Sequence, residues 1–203
     1  MTTQTNAEPF IDERSGNDGK GFYIRTFTGK KLYWDHVEDH DFSVHDIAHA
    51  LSMKCRWSGH TKVFYSVAQH SVMVSRLVAP EFKMDALFHD LSEAYMPDFP
   101  SPLKWFLRDQ GFTVLSDMEK RLEKAAAKKL GLAYPRNPSI KHADLVMLST
   151  ESRALMPDGE ERLGMIEPMR DPLIPLSPAD AKKLFLREYY FILTRSSRYG
   201  DMT

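Results

Sequence analysis

Two helical stretches of this sequence each carry an ionisable side chain in the middle of an apolar stripe. Helical positions advance about 100° per residue. In "SVAQHSVMVSRLVA", Val67, Met73, Val74 and Leu77 therefore fall within about 60° of His70. In "SIKHADLVMLSTESRALM", Ile140, Met147, Leu148 and Leu155 gather around Asp144. A histidine so placed is either a core residue hydrogen-bonded to a neighbour or a ligand. A lone buried aspartate is harder to accommodate, because an unpaired carboxylate out of water needs a cation, a metal or strong donors. Glu151, two turns beyond Asp144 on the same face, reads as an edge-of-core ion pair with Arg153.

A third stretch, "ALFHDLSEAYMPDFP", supplies complementary groups. Met84, Leu87, Phe88, Leu91, Ala94 and Tyr95 keep i, i+3, i+4 spacing and form its apolar stripe. His89, Asp90 and Glu93 share a separate arc of about 100°, which alone is a solvated face. Set beside His70 and Asp144, the arc gains something to face. Two imidazoles and two carboxylates make a first shell for a divalent cation and leave positions for water or substrate.

The elements that must position these groups are mainly helical. Expected helices cover 44–57, 66–79, 83–96, 102–111, 113–131, 139–156 and 177–195. Ser66 with Gln69, Ser177 with Pro178 and Asp180, and Gly131 after its helix supply caps. "GFYIRTFTGKKLYW" reads as a hairpin about Thr28-Gly29-Lys30, within about residues 21–35. The proline- and charge-rich segment 157–176 is expected to be a long loop.

Length and composition bound the rest. A chain of 203 residues fits one domain, here 21–203, after a flexible N-terminus at 1–20. With 27 Lys+Arg against 28 Asp+Glu and no long run of one sign, a nucleic-acid-coating or membrane-surface role is not expected. The single cysteine, Cys55, and the lack of an apolar leader or membrane span predict a soluble protein of the reducing cytoplasm.

The motifs also resemble a known family. The order His70, His89-Asp90, Asp144 is similar to the HD-domain metal-dependent phosphohydrolase superfamily. A bare His-Asp pair is common, and His45-Asp46 is a decoy within the same chain. The fuller context is similar to the 5'-deoxynucleotidase-like subgroup: Arg56-Trp57, "SVAQHS" at 66–71, "HDLSE" at 89–93, "DFPSPLK" at 98–104 and "KHAD" at 141–144 occur in order. The resemblance covers roughly residues 50–155 and implies a mainly α, HD-domain helical bundle with the hairpin added in front.

Carried over, the resemblance implies that His70, His89, Asp90 and Asp144 bind one divalent metal ion (Zn, Co, Mn, Ni, Fe or Mg). Glu93 and Asp98 would handle protons or order the attacking water. Arg56 and Lys104 would hold phosphate oxygens, Trp57 would pack on a sugar, and His60 would touch substrate or leaving group. His45, His49 and His142 are structural by default. The implied activity is a nucleotidase-like phosphohydrolase of nucleotide metabolism, acting on a 5'-(deoxy)nucleoside monophosphate. Alternatives are a nucleoside triphosphate triphosphohydrolase or other nucleotide phosphodiesterase, and, in another class, a non-catalytic helical binding or scaffold module. The implied partner is a small-molecule nucleotide, with no nucleic acid or membrane, and the implied assembly is a homodimer.

Overall fold

The computed structural model describes residues 16–157 and 166–200, with the backbone alone at 196–200. It is mainly α with one short antiparallel hairpin near the N-terminus. Strands β1 (Tyr23–Arg25) and β2 (Lys31–Tyr33) pair Tyr23 with Tyr33, Ile24 with Leu32 and Arg25 with Lys31. The turn between them closes through Thr26 N to Lys30 O at 2.8 Å, and Gly29 takes the left-handed conformation (φ 85°) that suits a residue without Cβ. Asp46 explains the decoy motif: its carboxylate accepts from Thr28 N at 2.6 Å and Thr28 Oγ1 at 2.9 Å, latching the hairpin onto the first helix.

Seven α-helices follow among the described residues: α1 (Val44–Met53), α2 (Val67–Arg76), α3 (Lys83–Leu87), α4 (Ser101–Asp109), α5 (Val114–Leu130), α6 (Pro138–Leu155) and α7 (Pro178–Gly200). Short 3-10 turns occupy 34–39, 57–59, 80–82 and 91–94. The caps act as their residue types require. Ser66 Oγ accepts from Gln69 N at 3.1 Å, Ser177 Oγ from Asp180 N at 3.2 Å, and Gly131 ends α5 at φ 68°.

α2 is the central element, packed by α1, α3, α6 and α7. One side of it, with Val67, Ala68 and Val72, joins a core of Leu32, Ile47, Leu51, Leu87, Phe88, Leu122 and Phe185. Its far end, with Val74, joins a second cluster of Val78, Ala86, Ile140, Ala143 and Met147. Each fully buried side chain of this kind contributes about 1.5–3 kcal/mol by leaving water. Leu77, at the C-cap of α2, is instead exposed. α7 covers the core with Ala181, Phe185 and Ile192 and holds Arg76 through Glu188 at 2.7 Å.

Three expectations need correction. The first helix stops at Met53 rather than running to 57, because Lys54 to Arg56 extend and pair with Tyr65 to Val67: Arg56 N donates to Tyr65 O at 2.8 Å and Val67 N to Lys54 O at 3.0 Å. The single helix expected over 83–96 is broken after Leu87; Phe88 and Asp90 leave helical geometry and a 3-10 turn resumes at Leu91. The stretch 1–20, expected to be flexible, includes residues tied to the hairpin. Asn17 bridges Phe22, and Asp18 accepts from Lys31 Nζ at 2.6 Å and Tyr33 Oη at 2.7 Å; residues 1–15 lie outside the described residues.

Of the expected loop, 158–165 lie outside the described residues, and the remainder has no regular structure. It is nevertheless tied down. Gln69 Nε2 donates to Ile174 O at 2.7 Å, Leu176 N to Gln69 Oε1 at 2.9 Å, and Met169 N to Thr150 Oγ1 at 2.9 Å. No helix among the described residues is long and apolar enough to cross a membrane.

Candidate metal centre

The break after Leu87 is what builds the site. It turns the polar arc inward, so His89 (7% exposed) and Glu93 (8%) are buried instead of solvated. His70 reaches the same point from the middle of α2, fully buried, and Asp144 from the second turn of α6. The ligand atoms of His70, His89 and Asp144 lie within 4.8 Å of one another, a group that could hold a metal ion.

The tautomers follow from the partners. Nδ1 of His89 is 2.8 Å from Ala86 O, which can only accept, and Nδ1 of His70 is 2.6 Å from the Glu151 carboxylate. Both rings therefore spend their Nδ1 protons outward and turn Nε2 toward each other at 3.2 Å. His70 Nε2 is 3.3 Å from Asp144 Oδ1 and 3.6 Å from Asp90 Oδ2, and His89 Nε2 is 3.2 Å from Asp90 Oδ2. Two ligand atoms about 2.1 Å from one ion, at tetrahedral or octahedral angles, lie roughly 3.0–3.4 Å apart, so three of these four separations suit a shared cation. Asp90 Oδ2 is itself buried without a hydrogen-bond partner.

The electrostatics ask for positive charge. Burial and Arg56 oppose a charged His70, yet Glu151 and Asp144 outweigh them and raise its pKa to about 9. Burial likewise opposes ionised Asp90 and Asp144, but the imidazoles hold both carboxyls well below the usual carboxylate range. Glu93 goes the other way: burial, then Asp90 and Asp98, push it well up, and its Oε2 is buried without a partner. Asp98, half-buried beyond Pro97, is also raised, by burial against the pull of Arg56.

The expected substrate residues are distributed unevenly. Arg56 Nε and Nη2 donate to Glu151 Oε2 at 3.3 and 3.1 Å, leaving Nη1 3.7 Å from Asp90 Oδ2. The Trp57 indole donates to the same Glu151 oxygen at 3.2 Å, from a backbone in the left-handed region (φ 56°) that is costly for a bulky residue. Lys104 lines a cleft with Glu93 and Phe99, its ammonium paired to Glu119 at 2.7 Å. His60 is exposed after Gly59, with no side-chain contact tying it to the ligands.

Glu151 is the residue that the sequence reading misassigned. It is fully buried and gathers His70, Arg56 and Trp57, while Arg153 donates to Met169 O instead. Its place seven residues after Asp144, on the same helix face, was the available signal. Lys54 was not singled out either; its ammonium donates to the carbonyls of Glu93 and Met96 and fixes the segment that carries Glu93.

Fold and site together define a mainly α protein with a buried two-histidine, one-aspartate candidate metal centre. No protein-family model matches the chain. It is 40% identical over 171 residues to the uncharacterized protein YfdR of Escherichia coli, covering 82% of this chain and 93% of that protein. It is also 30% identical over 168 residues to an uncharacterized protein of Rhodobacter capsulatus, covering 76% of this chain and 84% of that one. The chain belongs to the family of these proteins.

Proposed function

We propose that this chain is an HD-domain, divalent-metal-dependent phosphohydrolase that converts a 5'-(deoxy)nucleoside monophosphate into nucleoside and orthophosphate. One observation carries the reading: two imidazole Nε2 atoms face each other at 3.2 Å, with Asp90 Oδ2 3.2 Å from that of His89 and Asp144 Oδ1 3.3 Å from that of His70, separations that suit ligands of one shared cation. His70, His89, Asp90 and Asp144 would hold it, as Zn, Co, Mn, Ni, Fe or Mg. When bound, such an ion supplies Lewis acidity, polarising a phosphoryl oxygen and lowering the pKa of a coordinated water.

The protein's own groups do the rest. Glu93 is next to the His-Asp pair and accepts the proton of the attacking water as its oxygen bonds to phosphorus. Asp98, beyond Pro97, gives a proton to the leaving 5'-oxygen as the P–O bond breaks. Arg56 Nη1, the guanidinium nitrogen not held by Glu151, offsets charge on the phosphoryl oxygens. Lys104 joins it by leaving Glu119.

The test is metal-reconstituted protein assayed on nucleoside mono- and triphosphates, with His89→Ala as blank. Orthophosphate from monophosphates is expected; triphosphate released from nucleoside triphosphates would instead make it a triphosphohydrolase. Protein purified without chelator that holds no stoichiometric metal, and whose melting temperature ignores EDTA, would leave a helical binding module.

A further inference from the structure

The proline-rich segment 166–176 lies between α6 and α7 and has no regular structure of its own. It crosses the seam between α2, which carries His70, and α6, which carries Asp144 and Glu151. Its Met169 and Leu173 pack against the cluster that joins Val74 of α2 to Ile140, Ala143 and Met147 of α6.

The polar ties of this segment fall beside the residues of the metal centre. Gln69, next to His70, is buried (4% exposed); its amide donates to Ile174 O at 2.7 Å and accepts from Leu176 N at 2.9 Å, as a neighbouring strand would. On α6, Ser149 Oγ donates to Ile166 O at 2.8 Å, Thr150 Oγ1 accepts from Met169 N at 2.9 Å, and Arg153 donates to Met169 O. Those three residues stand within two positions of Glu151. Thr150 is anchored in turn, since its hydroxyl donates to Val146 O at 2.8 Å.

Two separations across the same seam form the centre: His70 Nδ1 to Glu151 Oε1 at 2.6 Å, and His70 Nε2 to Asp144 Oδ1 at 3.3 Å. Ligand geometry of this kind has to be held to about 0.5 Å. A segment without regular structure, tied by a few side-chain bonds, opens at a lower free energy than the helices beneath it.

Resting on the metal centre read above, we propose that 166–176 is a positioning strap: docked across α2 and α6 it keeps His70, Asp144 and Glu151 at ligand spacing, and its docked fraction sets the affinity for the cation. Gln69 and Thr150 are its positioning residues, one on each helix. Where only docked chains bind the ion, docking in about one chain in ten weakens the apparent affinity about tenfold. The coupling is reciprocal, so a bound ion holds the strap down.

The experiment uses metal-free, isotopically labelled full chain with Co(II) as the probe. Three quantities are read: Co(II) affinity, amide exchange at Met169 and Leu176, and the proton on His70 Nδ1, which a carboxylate at 2.6 Å draws far downfield. Gln69→Leu and Thr150→Val keep side-chain bulk and cut one anchor each. Both are expected to speed exchange in the strap, weaken Co(II) binding roughly tenfold and move the His70 proton upfield, with Thr150→Ser keeping all three near the parent. In the parent, saturating Co(II) slows exchange at both amides. Should Gln69→Leu fail to fold, Thr150→Val against Thr150→Ser carries the same expectation. A strap that exchanges faster while Co(II) affinity and the His70 proton stay as in the parent overturns the proposal, as does strap exchange that ignores both the ion and the variants. A parent that binds no Co(II) sinks the hydrolase reading instead, and the His70 proton alone then decides whether the strap positions the pair.

Discussion

Glu151 Oε1 lies 2.6 Å from His70 Nδ1, both side chains are wholly buried, and the pair joins residues 81 positions apart. The carboxylate's other oxygen takes Arg56 and Trp57. One acid thus orients a candidate metal ligand and neutralises a buried guanidinium, tying α6 to α2 and to the 57–59 turn.

Replacing it isolates those two roles. Glu151→Gln keeps the shape but removes the charge opposing Arg56, and losing one partner of a buried pair costs about 3–5 kcal/mol. The same change frees the His70 ring, and loss of such an orienting contact weakens metal affinity about 10–100-fold. Denaturant unfolding and metal titration of the variant measure the two effects. A variant as stable as the parent would contradict the geometry.

Lys54 offers a separate handle on the same site. Burial lowers its pKa while Glu93 and Asp98 work to raise it, and its ammonium holds the Glu93 and Met96 carbonyls. Lys54→Met leaves those carbonyls short of a donor, at a cost of about 1–3 kcal/mol. The 91–96 segment should then open more readily, seen as faster amide exchange at Tyr95 and Met96, whose N–H groups bond Ser92 O at 3.0 and 2.9 Å. Unchanged exchange there would show that Lys54 is not what fixes the turn.

Some of this arrangement was legible and some was not, for physical reasons. His70 and Asp144 stood out because an ionisable group inside an apolar stripe is costly unless partnered, and the structure gives both partners. The caps and the existence of the hairpin followed from local residue types. The break after Leu87 was invisible, since "ALFHDLSEAY" keeps helical periodicity through it and contains no Gly or Pro. What shapes the segment is long-range: His89 is drawn inward to His70, and Lys54 holds the turn beyond it through the Glu93 and Met96 carbonyls. Glu151 failed for a related reason, because local spacing pointed to Arg153, whereas its actual cation comes from 95 residues away.

Asp98 and His70 should separate in a paired experiment. Asp98 lies beyond Pro97, and no imidazole of the centre bonds it, so Asp98→Ala should retain bound metal while turnover falls by about 10²–10⁴-fold. His70→Ala removes a ligand and the partner of Glu151, so metal content falls with activity. Elemental analysis beside a phosphate-release assay reads both. Equal loss of metal in the two variants would remove Asp98 from the proton-transfer role.

Away from the site, Glu38 gives a pH dependence of known sign. The hydrogen bond from Arg121, followed by a backbone contribution, lowers its pKa from 4.5 to about 2, and the pair ties the 34–39 turn to α5 at 2.6 Å. A carboxyl depressed on folding stabilises the folded state above its unfolded pKa and loses that contribution as pH falls through the folded one. The full effect is therefore present above about pH 4.5 and disappears toward pH 2. Glu38 is 53% exposed, so solvent screening holds the contribution to about 0.2–1 kcal/mol. Glu38→Gln imitates the protonated acid, and should melt at most about 2–4 °C below the parent at pH 6. At pH 3 the gap should shrink by more than half, and high salt should shrink it at either pH. A gap that widened on acidification would mean that Glu38 is held by something other than the Arg121 charge.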